Sequence, residues 1–134
     1  MQTGKRILIV DDSMTMTATV FQILTDANYT DIDRVHDGAS ALAALRQKEY
    51  DLVITNWQMR PINGSELTKL IRADARLSKV RVILIAGLYG EDEDDDDEAR
   101  LNGADGYITN PFEPRDLTEK VEDVLSTVAK LASR

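Results

Sequence analysis

The chain contains no cysteine. That excludes disulfides, thiolate metal sites and a cysteine nucleophile, and it fits a cytoplasmic setting. No apolar run nears the roughly 18 residues that suggest a membrane span. The residues from Met1 to Arg6 hold no apolar stretch ahead of a cleavage site, so no signal peptide is read. No basic stripe is present to neutralise phosphates, which argues against nucleic-acid binding. No Gly-rich loop follows the first apolar run, which argues against a nucleotide cradle there. Histidine occurs once, as His36, and no motif sets a hydroxyl nucleophile or a partner carboxylate beside it, so it reads as a surface residue on an edge strand.

What is present is acidic, and locally so. The formal net charge is −8, and Glu91, Asp92, Glu93, Asp94, Asp95, Asp96, Asp97 and Glu98 form an unbroken acidic run. The remaining sixteen acidic residues are matched by sixteen basic ones. Eight adjacent like charges repel, and Asp is a poor helix former, so the run reads as a solvated loop feeding a shortened helix. The alternative is an electrostatic docking face for a basic protein partner.

At 134 residues the chain suits one domain with a single core, spanning about residues 5–132. Apolar runs and helical patterns alternate along it, which predicts an α/β sheet with helices on both faces. Lys5–Val10 reads as a buried strand. Ser13 is placed to cap a helix through about Ala27 with Val20, Ile23, Leu24 and Ala27 on one face. Ile32–His36 is a weak strand with charges interleaved, as edge strands tend to be. Asp37-Gly38 opens a helix carrying Ala41, Leu42 and Leu45, and Asp51–Thr55 is a third, continuously apolar strand. A helix over about Ser65–Ala73 presents Leu67, Leu70 and Ile71. Val80–Ala86 and a short segment within Gly103–Thr109 complete the strands. Pro114 suits the first position of a last helix striped by Leu117, Val121, Val124, Val128 and Leu131.

Asp11 and Asp12 follow the first strand, and Asn56 closes the third. If both strands are parallel, these three cluster at the carboxyl ends, where open α/β sheets place their sites. Two carboxylates can hold a divalent cation there, with amide and carbonyl oxygens as neutral ligands, or they can simply face solvent. A carboxamide in the third place cannot form an acyl phosphate.

Six segments in this order resemble the receiver domains of two-component response regulators. They are Ile7–Ser13 with its acidic pair, Asn56-Trp57-Gln58-Met59, Asn63-Gly64-Ser65-Glu66-Leu67, Ile71-Arg72-Ala73-Asp74, Gly103-Ala104-Asp105-Gly106-Tyr107 and Pro111-Phe112. The resemblance covers essentially the whole chain. It implies a flavodoxin-like (CheY-like) three-layer sandwich, with a five-stranded parallel sheet in the order 2-1-3-4-5 and five helices. By the same resemblance, Asp11 and Asp12 match the Mg²⁺-binding pair, with the Gln58 carbonyl as a further ligand. Asn56 falls on the phosphoacceptor, Ala86 on a hydroxyl position and Asn110 on a lysine. Tyr107 matches an aromatic that changes rotamer on activation. Arg60 stands where the family usually has proline, and Pro61 comes one place later. The resemblance also implies a cis bond at Asn110-Pro111.

Three of these positions have lost phosphotransfer chemistry together. Without a carboxylate there is no in-line acceptor. Without an ammonium, a dianionic phosphoryl loses a contact worth roughly 1.5–3 kcal/mol. The expectation is therefore a non-enzymatic regulator with a weak Mg²⁺ site or none. It acts by binding a histidine kinase, a phosphotransfer protein or a motor or other effector protein, without membrane insertion. No output domain is expected within the chain. One rival is a conventional phosphorylated receiver carrying an inactivating substitution, with Thr55 and Ser13 as nearby hydroxyls. Another is a small Mg²⁺-dependent phosphatase, disfavoured because neither Asp begins an Asp-x-Asp pattern.

Overall fold

Alternation along each strand decides which helix packs where. In β1 (Arg6–Val10), Ile7 and Ile9 face one side of the sheet and Leu8 and Val10 the other. The structure, a computed structural model, describes the backbone of residues 4–87 and 102–132, with side chains as far as residue 126. Its other strands are β2 (Asp31–Val35), β3 (Leu52–Asn56), β4 (Arg81–Ala86) and β5 (Gly106–Thr109). All pair in parallel in the order β2-β1-β3-β4-β5, the CheY-like order.

The helices are α1 (Met14–Asp26), α2 (Gly38–Gln47), α3 (Gly64–Ala73) and α4 (Pro114–Ala132). Val20 and Leu24 of α1, with Leu117, Val121 and Val124 of α4, cover Ile7, Ile9, Ile54 and Ile83 on one face. Ala41 and Leu45 of α2, with Leu67 and Ile71 of α3, cover Leu8, Val10, Val53 and Val82 on the other. Each fully buried aliphatic side chain contributes about 1.5–3 kcal/mol to this arrangement. Among the described residues there are four helices. The segment between β4 and β5 where a fifth was expected, with Glu91–Glu98, lies outside them, as do the Val128 and Leu131 side chains.

Helix starts follow short polar side chains. The Met16 N–H donates to Ser13 Oγ at 3.1 Å and the Ser40 N–H to Asp37 Oδ1 at 2.7 Å. At α3 the cap is reciprocal: the Glu66 N–H donates to Asn63 Oδ1 (2.8 Å) and the Asn63 N–H to Glu66 Oε1 (3.0 Å). This box makes Asn63-Gly64-Ser65-Glu66 a helix-starting device. The face expected for α3 needs one correction, because Leu70 is 44% exposed while Ser65 and Thr68 are buried. The stripe runs through positions 64, 67, 68 and 71, and Thr68 hides its hydroxyl by donating to the Gly64 carbonyl at 2.8 Å.

Candidate functional site

Val10 lies opposite Thr55 in the β1–β3 register, so the residues that follow emerge side by side. Asp11 is buried and Asp12 exposed, so the adjacent acids divide between the protein interior and solvent. Asp11 Oδ1 accepts from the Ser13 N–H at 2.9 Å and from Asn56 Nδ2 at 3.4 Å. Burial pushes the Asp11 carboxyl above the usual carboxylate range; the Ser13 N–H opposes that rise and the neighbouring Asp12 charge adds to it.

Asn56 Nδ2 also donates to the Gln58 carbonyl at 2.9 Å. One amide nitrogen thus bridges Asp11 Oδ1 and Gln58 O, two of the oxygens expected to hold a cation. Turning the amide over would set its oxygen against two acceptors, so the hydrogen-bond partners dictate the orientation. As arranged, Asn56 presents N–H groups between these oxygens, and its amide oxygen would have to turn inward to join the Asp11 carboxylate and the Gln58 carbonyl around a hard cation. Among the described residues no group of three or more His, Cys, Asp or Glu side chains is placed to hold a metal.

Backbone contacts hold the loop that follows Asn56. The Gly64 N–H donates to the Trp57 carbonyl at 2.7 Å, and a Cβ on Gly64 would run into the Asn56 carbonyl oxygen. Glycine is required there by close backbone approach. The Trp57 N–H donates to the Ile85 carbonyl at 2.8 Å, tying this loop to β4.

The remaining site positions occupy the next two strands. Ala86 ends β4 with 3% exposure and its carbonyl accepts from the Asn110 N–H at 2.6 Å. Asn110 follows β5 and joins Pro111 through a cis bond, as the resemblance implied, and Arg60-Pro61 is also cis. Tyr107 in β5 is half-buried and meets Trp57 edge-on, with ring centroids 5.9 Å apart and planes at 86°.

Trp57 is half-buried against Tyr107. Two sequence readings change here. His36, read as a surface residue on the strand, lies just beyond β2, half-buried, with Nδ1 3.1 Å from the Asp11 carbonyl. Thr55 is wholly buried and donates its hydroxyl to the Asn56 carbonyl (3.1 Å), so it is closed to a donor, while Ser13 Oγ is engaged in capping α1. The Trp57 and His36 contacts are not written in local spacing, since each joins residues from different elements.

Two of the matched segments prove to be structural. Arg72 donates to the Gly103 carbonyl (2.8 Å), to the Ser78 carbonyl (3.0 Å) and to Asp105 Oδ2 (2.8 Å). Asp105 also accepts from the Val82 N–H (2.9 Å) and from Arg81 Nη1 (3.2 Å). Gly103 has φ of +95°, and a Cβ there would meet Arg72 Cγ at 2.8 Å. These residues pin the start of β5 to α3 and β4, away from the acidic pair.

A family model described as response regulator receiver domain matches residues 7–122. The chain belongs to the response-regulator receiver family. The matched span takes in this receiver's site from Asp11 to Asn110. The chain is 33% identical over 123 residues to the chemotaxis protein CheY of Pseudomonas aeruginosa, covering 92% of this chain and 98% of that protein. It is 35% identical to chemotaxis protein CheY-3 of Vibrio cholerae, covering 89% and 90%. Among solved structures, chemotaxis response regulator CheY4 of Vibrio cholerae superposes with a TM-score of 0.81 at 27% identity, covering 91% and 99%. A putative response regulator from Chloroflexus aurantiacus gives 0.84 at 25% identity, covering 91% and 98%. Receivers of this kind act in two-component signal transduction through protein partners such as kinases and effectors. Among the described residues of this receiver no helix is long and apolar enough to cross a membrane.

Proposed function

We propose that this receiver signals by binding a protein partner without forming an aspartyl phosphate. The candidate partners are a histidine kinase, a phosphotransfer protein or a motor or other effector protein. The observation that carries this reading is the Asn56 amide, whose nitrogen bridges Asp11 Oδ1 and the Gln58 carbonyl where the family resemblance calls for a phosphoacceptor carboxylate. A carboxamide offers no ionised oxygen to attack phosphorus. Ala86 offers no hydroxyl and Asn110 no positive charge to a phosphoryl group. On this reading Mg²⁺ binds weakly or not at all, since the bridging N–H groups must first be turned away from the oxygens they occupy. The acidic run Glu91–Glu98, outside the described residues, is proposed as the docking face for a basic partner.

Incubation of the protein with acetyl phosphate and Mg²⁺, followed by intact-mass measurement, tests the central point. The expected spectrum is unchanged. Addition of one phosphoryl group to most molecules, located to Asn56, Thr55 or Ser13, would sink the proposal. For the docking face, capture of a partner from native lysate is expected to weaken when Glu91–Glu98 are neutralised, and undiminished capture would refute it.

A further inference from the structure

The other end of the sheet carries a second feature that the receiver site leaves unexplained. The amino-terminal ends of β1, β3 and β4 open on a cleft of about 640 Å³, within the range of small-molecule sites. Six cations line it, Lys5, Arg6, Lys48, Arg76, Lys79 and Arg81, against the carboxylates of Asp31, Glu49 and Asp51. In a chain of net charge −8 this is a local reversal of sign.

Pairing accounts for part of it. Arg6 is 3.0 Å from Asp31, Lys48 is 3.2 Å from Asp33 and Arg81 is 3.2 Å from Asp105. The Arg6 N–H donates to Asp51 Oδ2 at 2.8 Å. Lys5, Arg76 and Lys79 have no carboxylate partner within 4 Å among the described residues. All three are exposed at the rim. Leu45, Leu77 and Val80, each less than 9% exposed, form an apolar wall beside these charges. Convergent unpaired cations in a concave site favour a ligand with more than one negative charge, because a concave low-dielectric wall focuses their field. The apolar wall favours a ligand with a carbon body.

We infer that this cleft binds a small phosphorylated molecule. Its phosphate rests on Lys5, Arg76 and Lys79, and its apolar body lies against Leu45, Leu77 and Val80. The site lies at the opposite end of the strands from Asp11 and Asn56, so it stands or falls independently of the acceptor question.

The test is a titration of the full chain with phenyl phosphate, and separately with inorganic phosphate, followed by amide NMR shifts. Saturable shifts are expected at Lys5, Tyr50, Leu77 and Lys79, with inorganic phosphate weaker at the same amides. The double substitution Arg76→Ala with Lys79→Ala removes two exposed side chains, so the fold is expected to persist by circular dichroism. Affinity for phenyl phosphate should fall about ten-fold or more. The Asn56→Asp variant should titrate like wild type. Absence of shifts in the cleft, equal shifts at lysines all over the surface, or an affinity unmoved by the double substitution would each overturn the inference.

Discussion

Replacing Asn56 by Asp puts a carboxylate where the bridging amide stands. The change removes the donor to the Gln58 carbonyl at 2.9 Å, a loss of about 1 kcal/mol. It also sets two carboxylates against each other at the 3.4 Å that now separates Asn56 Nδ2 from Asp11 Oδ1. At an effective dielectric of about 20, that repulsion reaches about 5 kcal/mol. Protonation limits it, since keeping one ordinary carboxyl neutral at about pH 7 costs about 4 kcal/mol. Some of the strain relaxes as the side chains swing apart, so we predict a variant about 2–4 kcal/mol less stable than wild type at neutral pH without divalent metal. A cation bound with a Kd of about 1 mM would return about 1.4 kcal/mol at about 10 mM Mg²⁺. Wild type, whose amide already bridges the same oxygens, should gain less than about 0.5 kcal/mol under the same conditions. Urea unfolding followed by Trp57 emission, with and without Mg²⁺, measures all four quantities. Equal stability of the two proteins without metal, or equal gains with it, would refute the reasoning.

Further predictions concern the frame around the amide. Because burial raises the Asp11 carboxyl in the folded state, the native chain holds that proton to higher pH than the unfolded chain. Its contribution to stability is full below the ordinary carboxylate value and is lost as pH rises through the raised one. Urea midpoints of wild type should therefore fall relative to Asp11→Asn as pH rises above 3.8, and a constant difference would count against the buried carboxylate. Gly64→Ala should cost about 1–3 kcal/mol, because the new Cβ must displace the Asn56 carbonyl; an unchanged melting temperature would contradict that contact. Arg72→Ala strands the Gly103 and Ser78 carbonyls and half of Asp105, and a loss of about 3 kcal/mol is expected in chemical denaturation. Tyr107→Ala should expose Trp57 and shift its emission to the red, whereas unaltered emission would deny the edge-on contact.

Much of this molecule could be read along the chain because its signals are short-range. Ser13, Asp37 and Pro114 mark helix starts through local sterics and capping, and the structure places the helices there. Ile7 to Val10 had to be buried on both faces, which is what a central parallel strand requires. The charged residues of β2 put it at the edge, where the structure has it. Leu70 misled because position and hydrophobicity alone do not reveal that Thr68 can hide its own hydroxyl and take the inward place.

What the amino acids decided by themselves is chemical: a carboxamide at position 56, a methyl at 86 and no ammonium at 110, whatever the fold. What only the tertiary structure decided is whom those groups meet. That Asn56 bridges Asp11 and Gln58, that Trp57 leans on Tyr107 and that lone cations gather beneath the sheet all depend on contacts between separate elements. Side-chain composition travels with the chain, but distances across strands exist only once the parallel register is set.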